Sequence, residues 1–178
     1  MKKVNVKEIT KFACIIAIYW ALTMVMYNFS YVPIQVRVSE ILVLLCFFNK
    51  KYYLPLVLGC MISNFFSPYG LYDIIFGTLA TASALLGVSY SKNIFVAALF
   101  PILINGVIIG FEITFLEVGF QLEVFLFNCL MVAAGEFISV GIIGIPIFML
   151  IRKNQIFMKL IDANQNINFE QTDNFEKK

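Results

Sequence analysis

Residues 124–151 read VFLFNCLMVAAGEFISVGIIGIPIFMLI, a run that carries a single charged side chain, that of Glu136. About 20 mostly apolar residues are enough to cross the ~30 Å hydrocarbon core of a bilayer. Lipid offers no hydrogen-bond partner to the backbone, and the run lacks the alternating pattern of a barrel strand. It therefore predicts a membrane-spanning helix.

The rest of the chain repeats this pattern. Of its 178 residues, 61% are hydrophobic and 13% are charged, whereas soluble domains are about half apolar and about a quarter charged. Further apolar runs occupy residues 12–27, 36–48, 52–66, 74–90 and 94–111. The predicted fold is an all-α integral membrane bundle of six transmembrane helices, formed by residues 1–160. Residues 161–178 are rich in Asn, Gln and acids and predict a polar cytoplasmic tail.

Basic residues indicate the orientation, because they favour the cytoplasmic side of short loops. With the N-terminus inside, all but one of the 13 Lys and Arg residues fall on the cytoplasmic side, and the exception is Arg37. Both termini are therefore predicted to be cytoplasmic, in a multi-pass protein of the cell membrane. The acids Glu40, Asp73 and Glu112 fall toward the outer half, and Glu136 lies within the last span.

Several kinds of chemistry are missing from the chain. It contains no histidine, so a histidine general base and a His-ligated zinc site are excluded. Its four cysteines form no CxxC pair, and the sequence has no GxxxxGK[ST] phosphate loop. We therefore expect no enzyme, metal site, cofactor or nucleic-acid partner, and ATP-driven transport would require a separate ATPase subunit.

Polar side chains within the apolar runs or directly beside them predict a substrate-binding site. A charge at membrane depth costs at least about 2.5 kcal/mol, so it normally faces the bundle interior and has a partner or a function. The candidates are Arg37, Glu40, Asn64, Asp73, Asn105, Glu112, Asn128 and Glu136. Asn105 and Glu112 lie two helical turns apart on one face. Interhelical hydrogen bonding remains an alternative for any one of them, but one arginine cannot neutralise four carboxylates.

Helix one carries a different pattern. Ala13, Ala17 and Ala21 recur at every fourth position, which produces a smooth face that permits close approach of another helix. That helix belongs either to the same chain or to a partner protein.

Two motifs point to a family: RVSEIL at 37–42 and YGLYDIIFGT at 69–78, accompanied by Asn64, Pro101, Asn105 and the pair Gly135-Glu136. Over most of its length the chain resembles the substrate-binding S components of energy-coupling factor (ECF) vitamin transporters. Among them it is most similar to the QueT queuosine-precursor type. The resemblance implies that the alanine face docks on a transmembrane coupling subunit, which works with two ATPase subunits. It also implies capture from outside of a ligand such as 7-aminomethyl-7-deazaguanine.

The candidate residues suit such a ligand. A carboxylate can accept the adjacent N–H donors of a guanine-type edge, and a second acid can hold an aminomethyl cation. Tyr72 is a candidate for stacking on the flat ring, although it is also an ordinary residue for a membrane interface. The resemblance further implies that the loop 27–36 closes over bound ligand.

Three alternatives remain open at this stage. The chain could be an S component for a different small vitamin. It could be an ion-coupled secondary transporter, although we see no inverted repeat between its halves. A small membrane scaffold would explain the alanine face but not the outward acids.

Overall fold

The structure is a computed structural model, and it describes residues 6–30 and 36–163. Its helices are α1 (Val6–Val25), α2 (Tyr27–Ser30), α3 (Val38–Phe48), α4 (Tyr53–Asn64), α5 (Leu71–Tyr90), α6 (Ile94–Val118), α7 (Leu122–Ile151) and α8 (Gln155–Leu160). Within the described ranges there is no strand, so the predicted all-α class is confirmed.

Four of the described helices, α1, α5, α6 and α7, are long and apolar enough to cross a membrane. The spans predicted at 36–48 and 52–66 are also helical, as α3 and α4, but both helices are shorter than a full span. Helix α4 has 12 residues, which is about 18 Å at the ~1.5 Å rise of an α-helix. Of the predicted tail, only residues 161–163 fall within the described range, and Ile161 among them is buried.

The helices pack around α3. Helix α1 packs on α4, α4 on α5, α5 on α6, and α6 on α7, while α3 contacts α1, α5 and the middle of α7. Nearly all of the side chains of α3 are buried. A helix that is apolar all round belongs in the interior, since it has no polar face to turn outward.

Helices α6 and α7 approach each other closely at two glycines. A Cβ atom on Gly110 would lie 2.8 Å from the Cα of Cys129, and one on Gly106 would lie 3.1 Å from the Cβ of Ala133. Small residues four apart let membrane helices pack backbone to backbone. This contact fixes the relative depth and rotation of the two helices that carry Asn105, Glu112 and Glu136.

Two irregular helical segments face each other inside the bundle. The first part of α3, Val38–Leu44, is a 3₁₀-helix, and the middle of α7, Phe137–Gly144, is a π-helix. These two segments pack against one another. Long 3₁₀ runs are uncommon, and π-helical turns occur frequently at functional sites. Glu40 lies in the first segment and Glu136 directly precedes the second.

Side-chain contacts gather several chain segments at one end of the bundle, which we call the basic end. The Lys51 ammonium pairs with Glu8 at 2.7 Å, and the Lys11 ammonium pairs with Asp162 at 2.8 Å. The hydrogen bond that Lys51 donates to the Glu8 carboxylate raises the pKa of this exposed lysine. The start of α1, the α3–α4 turn and the residues after α8 therefore lie together.

Candidate functional site

The polar residues predicted from the sequence gather toward the end of the bundle opposite the basic end. Helices α3 and α5 both finish at the basic end, where the Lys50 ammonium lies 3.8 Å from the centre of the Tyr90 ring. Arg37 and Glu40, at the start of α3, and Asp73, at the start of α5, therefore lie at the far end. Buried side chains, each at most 4% exposed, form what we call the acid cluster: Arg37, Glu40, Asn64, Asp73, Asn105, Glu112 and Glu136.

Glu40 lies between three helices. Its Oε1 accepts hydrogen bonds from the Tyr19 hydroxyl on α1 and from Thr81 Oγ1 on α5, the latter at 3.3 Å. Its Oε2 is buried and has no hydrogen-bond donor among the described residues. One oxygen of this carboxylate is thus held in place while the other is left to accept a further donor.

Glu136 is held in a similar way on the opposite side. Asn105 Nδ2 on α6 donates to Glu136 Oε1 at 2.9 Å. Within the part of the chain that the structure describes, neither Glu136 Oε2 nor Asn105 Oδ1 has a partner. The pair therefore presents two neighbouring acceptors.

Asp73 and Asn64 form a second arm of the cluster. The Ser67 hydroxyl donates to Asp73 Oδ2, and Asn64 Nδ2 donates to the Asp73 main-chain oxygen at 2.9 Å. The lack of a side chain at Gly77 makes room for this amide, because a Cβ there would lie 2.7 Å from Asn64 Nδ2. Asp73 Oδ1 and Asn64 Oδ1 remain without donors among the residues described.

Glu112 is the least satisfied member of the cluster. It is 2% exposed, and neither of its carboxylate oxygens meets a donor in the described ranges. Asp73, at the start of α5, and Glu112, toward the end of α6, lie on helices that pack on each other, and Arg37 is the one basic side chain of the acid cluster. A carboxylate carries only acceptors, so a bond between Asp73 and Glu112 requires a proton or a cation between them.

The chemistry that this arrangement offers is acceptance of hydrogen bonds and of positive charge. The unpaired buried oxygens of the acid cluster belong to Glu40, Asn64, Asp73, Asn105, Glu112 and Glu136. Buried acceptors without donors are costly, so the cluster complements a compact, donor-rich, cationic molecule. No group of three or more His, Cys, Asp and Glu side chains in the described residues is arranged to hold a metal ion.

Three predicted residues lie away from the acid cluster, on α1. Ala13, Ala17 and Ala21 are exposed along one face of the helix, whose buried residues are Tyr19 and Thr23. The described part of the chain therefore does not cover the alanine face.

The remaining predictions concern Tyr72, Asn128 and the loop 27–36. Tyr72 is 48% exposed and does not join the buried cluster. Asn128 donates to Thr114 Oγ1 at 3.0 Å and so links α7 to α6, which is the interhelical role left open above. In the predicted closing loop 27–36, residues 31–35 lie outside the described range.

Sequence reasoning missed the side chains that hold the acids. Tyr19, Thr81 and Ser67 each donate to a carboxylate of the acid cluster. A tyrosine inside an apolar helix is a usable signal, since a buried hydroxyl needs a partner. The hydroxyls of Thr81 and Ser67 carry no comparable signal, because they can bond to their own helix backbone.

Several apolar helices long enough to cross a membrane, packed around an enclosed polar cluster, define a multi-pass protein of the cell membrane. The family model described as QueT transporter matches residues 9–153, and the chain therefore belongs to the QueT transporter family. This match includes the acid cluster and the alanine face, and it confirms the resemblance to the QueT type.

A curated relative supports the same assignment. The queuosine precursor transporter QueT of Lactococcus lactis subsp. cremoris (strain MG1363) is 47% identical over 83 residues, which are 46% of this chain and 48% of the relative. The chain thus spans about half the length of the curated relative that it matches. No solved structure matches the chain.

Proposed function

We propose that this protein is the substrate-binding S component of an ECF-type, ATP-driven importer. In this proposal it captures a queuosine precursor, or a related deazaguanine, from outside the cell. The observation that carries the proposal is the set of buried, unpaired acceptors in the acid cluster. Family membership supports uptake as the activity, and the name of the Lactococcus relative supports the ligand class.

The chemistry of a deazaguanine matches these acceptors. Its guanine-type edge presents adjacent N–H donors, and carboxylate oxygens accept such donors in charge-assisted bonds. Glu136 with Asn105, and Glu40, each offer a free acceptor beside one that is already held. Four carboxylates with one arginine leave negative charge for a cationic substituent.

The distribution of charge supports an outward-facing site. The lysines of the α1 start and of the α3–α4 turn lie at the basic end, which the positive-inside rule assigns to the cytoplasm. The acid cluster then opens toward the outside, and both termini are cytoplasmic. In this arrangement the short helices α3 and α4 lie within the membrane layer with the four long helices, which gives six.

The exposed alanine face of α1 is the proposed contact with a transmembrane coupling subunit, which in turn works with two ATPase subunits. Its small side chains permit close approach of a partner helix. Only Tyr19 and Thr23 of α1 are buried against the rest of the described chain. The missing phosphate loop is the reason to place ATP hydrolysis in another subunit.

The deciding experiment is equilibrium binding of the purified protein to a panel of deazaguanines and vitamins. Tight binding confined to deazaguanines supports the proposal, and selective binding of a vitamin identifies an S component for that vitamin instead. Uptake in cells provides the second measurement. Uptake that persists after ATP depletion and stops when the ion gradient collapses would show a secondary transporter.

A further inference from the structure

We propose that Asp73 and Glu112 together form a subsite for an ammonium group of the ligand, separate from the acceptors that read the ring. This inference rests on the proposed function and assigns a task to each part of the acid cluster. Asp73 is at the start of α5 and Glu112 is on α6, so the subsite lies between two adjacent, directly packed helices.

The first argument is that two carboxyl groups are buried on neighbouring helices, toward the same end of the bundle. Asp73 is 1% exposed and Glu112 is 2% exposed, and the helices that carry them, α5 and α6, pack on each other. Two like charges buried in one polar cluster repel where water is excluded, unless a proton or a cation lies between them. Arg37, which is also buried, supplies one positive charge to a cluster that contains four carboxyl groups.

The second argument is the buried amide of Asn64. Its Nδ2 is anchored to the Asp73 main chain, while its Oδ1 is completely buried and meets no donor in the described residues. Asp73 Oδ1, Asn64 Oδ1 and the Glu112 carboxylate therefore supply acceptors of three different side chains. A primary ammonium has three N–H donors, so it matches this set in both number and charge.

Glu40 and Glu136 differ from Glu112 in the hydrogen bonds that their carboxylates already accept. Glu40 Oε1 already accepts from Tyr19 and Thr81, and Glu136 Oε1 already accepts from Asn105. Each of these carboxylates keeps one free oxygen, whereas Glu112 keeps both. A free oxygen beside one that is already held suits the N–H groups of a flat ring, and the carboxylate of Glu112, with both oxygens free, suits a full positive charge.

The test compares two ligands that differ at one substituent. 7-Aminomethyl-7-deazaguanine carries the ammonium, and 7-cyano-7-deazaguanine replaces it with a neutral nitrile. We expect the parent protein to bind the amine at least about tenfold more tightly. In Asp73→Asn and Glu112→Gln that preference should fall by about tenfold or more, while affinity for the nitrile stays within about twofold.

Control variants at other acids test whether the preference for the amine depends on Asp73 and Glu112 in particular. Glu117→Gln, at an exposed acid near the end of α6, should keep the preference, and Glu136→Gln should weaken both ligands alike. Folding is checked by gel filtration and thermal unfolding, and either subsite variant that folds decides the question. A preference that survives in a folded Asp73→Asn or Glu112→Gln protein, or that is lost only in Glu136→Gln, overturns the inference. Failure of the parent to bind either deazaguanine would refute the proposed function, and the inference with it.

Discussion

The hydroxyl group of Tyr19, on α1, donates a hydrogen bond to Oε1 of Glu40, on α3. Ala17 and Ala21, two residues to either side of Tyr19, are exposed on the same helix. One helix thus presents a smooth face to the outside of the bundle and a hydrogen-bond donor to the acid cluster. Any movement of α1 against the bundle therefore changes the hydrogen bond that Tyr19 donates to Glu40.

Removing this bond should weaken ligand binding. In Tyr19→Phe, Glu40 Oε1 keeps only the 3.3 Å bond from Thr81, so the carboxylate loses its better-placed donor. A hydrogen bond to a charged group contributes about 1.5–3 kcal/mol, and part of this should appear as a loss of about three- to tenfold in affinity. Titration calorimetry on the purified protein measures it. Tyr90→Phe, at a residue that is 75% exposed, is the control, and equal affinities of both variants would contradict the positioning role.

The two acids that already hold one donor should dominate ring recognition. Glu136→Gln and Glu40→Gln each replace a charged acceptor by a neutral amide, which should weaken binding of a deazaguanine by about 2–5 kcal/mol. This is more than tenfold in Kd. Exposed Glu123 offers the matched variant Glu123→Gln, for which no change is expected. Parent-like affinity in both buried variants, measured on folded protein, would refute this part of the site.

Bulk on the alanine face should separate binding from uptake. Ala17→Trp fills the smooth face and should abolish uptake by cells, while the isolated protein binds ligand as the parent does. Ala134→Trp places the same side chain at an exposed alanine of α7 and should leave uptake intact. The docking role is wrong if the two variants transport equally, or if Ala17→Trp loses ligand binding while still folded.

A methyl group at Gly77 should act through Asn64. The new Cβ would lie 2.7 Å from Asn64 Nδ2, so the amide must move and its bond to the Asp73 main chain is lost. We expect Gly77→Ala to weaken ligand binding by about 1–3 kcal/mol. Asn64→Ala should have a similar effect. The double variant should lose no more ligand affinity than the more severe of the two single variants, because each substitution removes the same interaction. Additive losses would show that Gly77 acts independently of Asn64.

Thiol labelling checks the orientation. A cysteine at Glu123, at the exposed start of α7, should react with a membrane-impermeant maleimide in intact cells. A cysteine at Lys50, at the basic end, should react only after permeabilisation. The parent chain, with its own four cysteines, serves as the blank. The reverse labelling pattern would place the acid cluster on the cytoplasmic side.

The sequence by itself determined that the chain lies in a membrane, that its fold is helical, and which residues make up most of the buried polar set. Hydropathy is a property of consecutive residues, so a run such as 124–151 identifies its environment without any tertiary information. A charge inside such a run or directly beside it is expected to be enclosed, which is why Glu40, Asp73, Glu112 and Glu136 could be selected before the fold was known. The family followed from short motifs for the same reason, because they are local in the chain.

Only the tertiary structure decided which of these residues work together. The contacts of Tyr19 with Glu40 and of Asn105 with Glu136 join different helices. Spacing along a helix fixes which residues share a face, but not how far that helix is rotated or raised against its neighbours. Rotation and depth depend on close contacts such as those at Gly106 and Gly110, and on the irregular turns within α3 and α7. The same packing turns Tyr72 outward and pairs Asn128 with Thr114, because the position of a side chain in the bundle is set by all the helices at once.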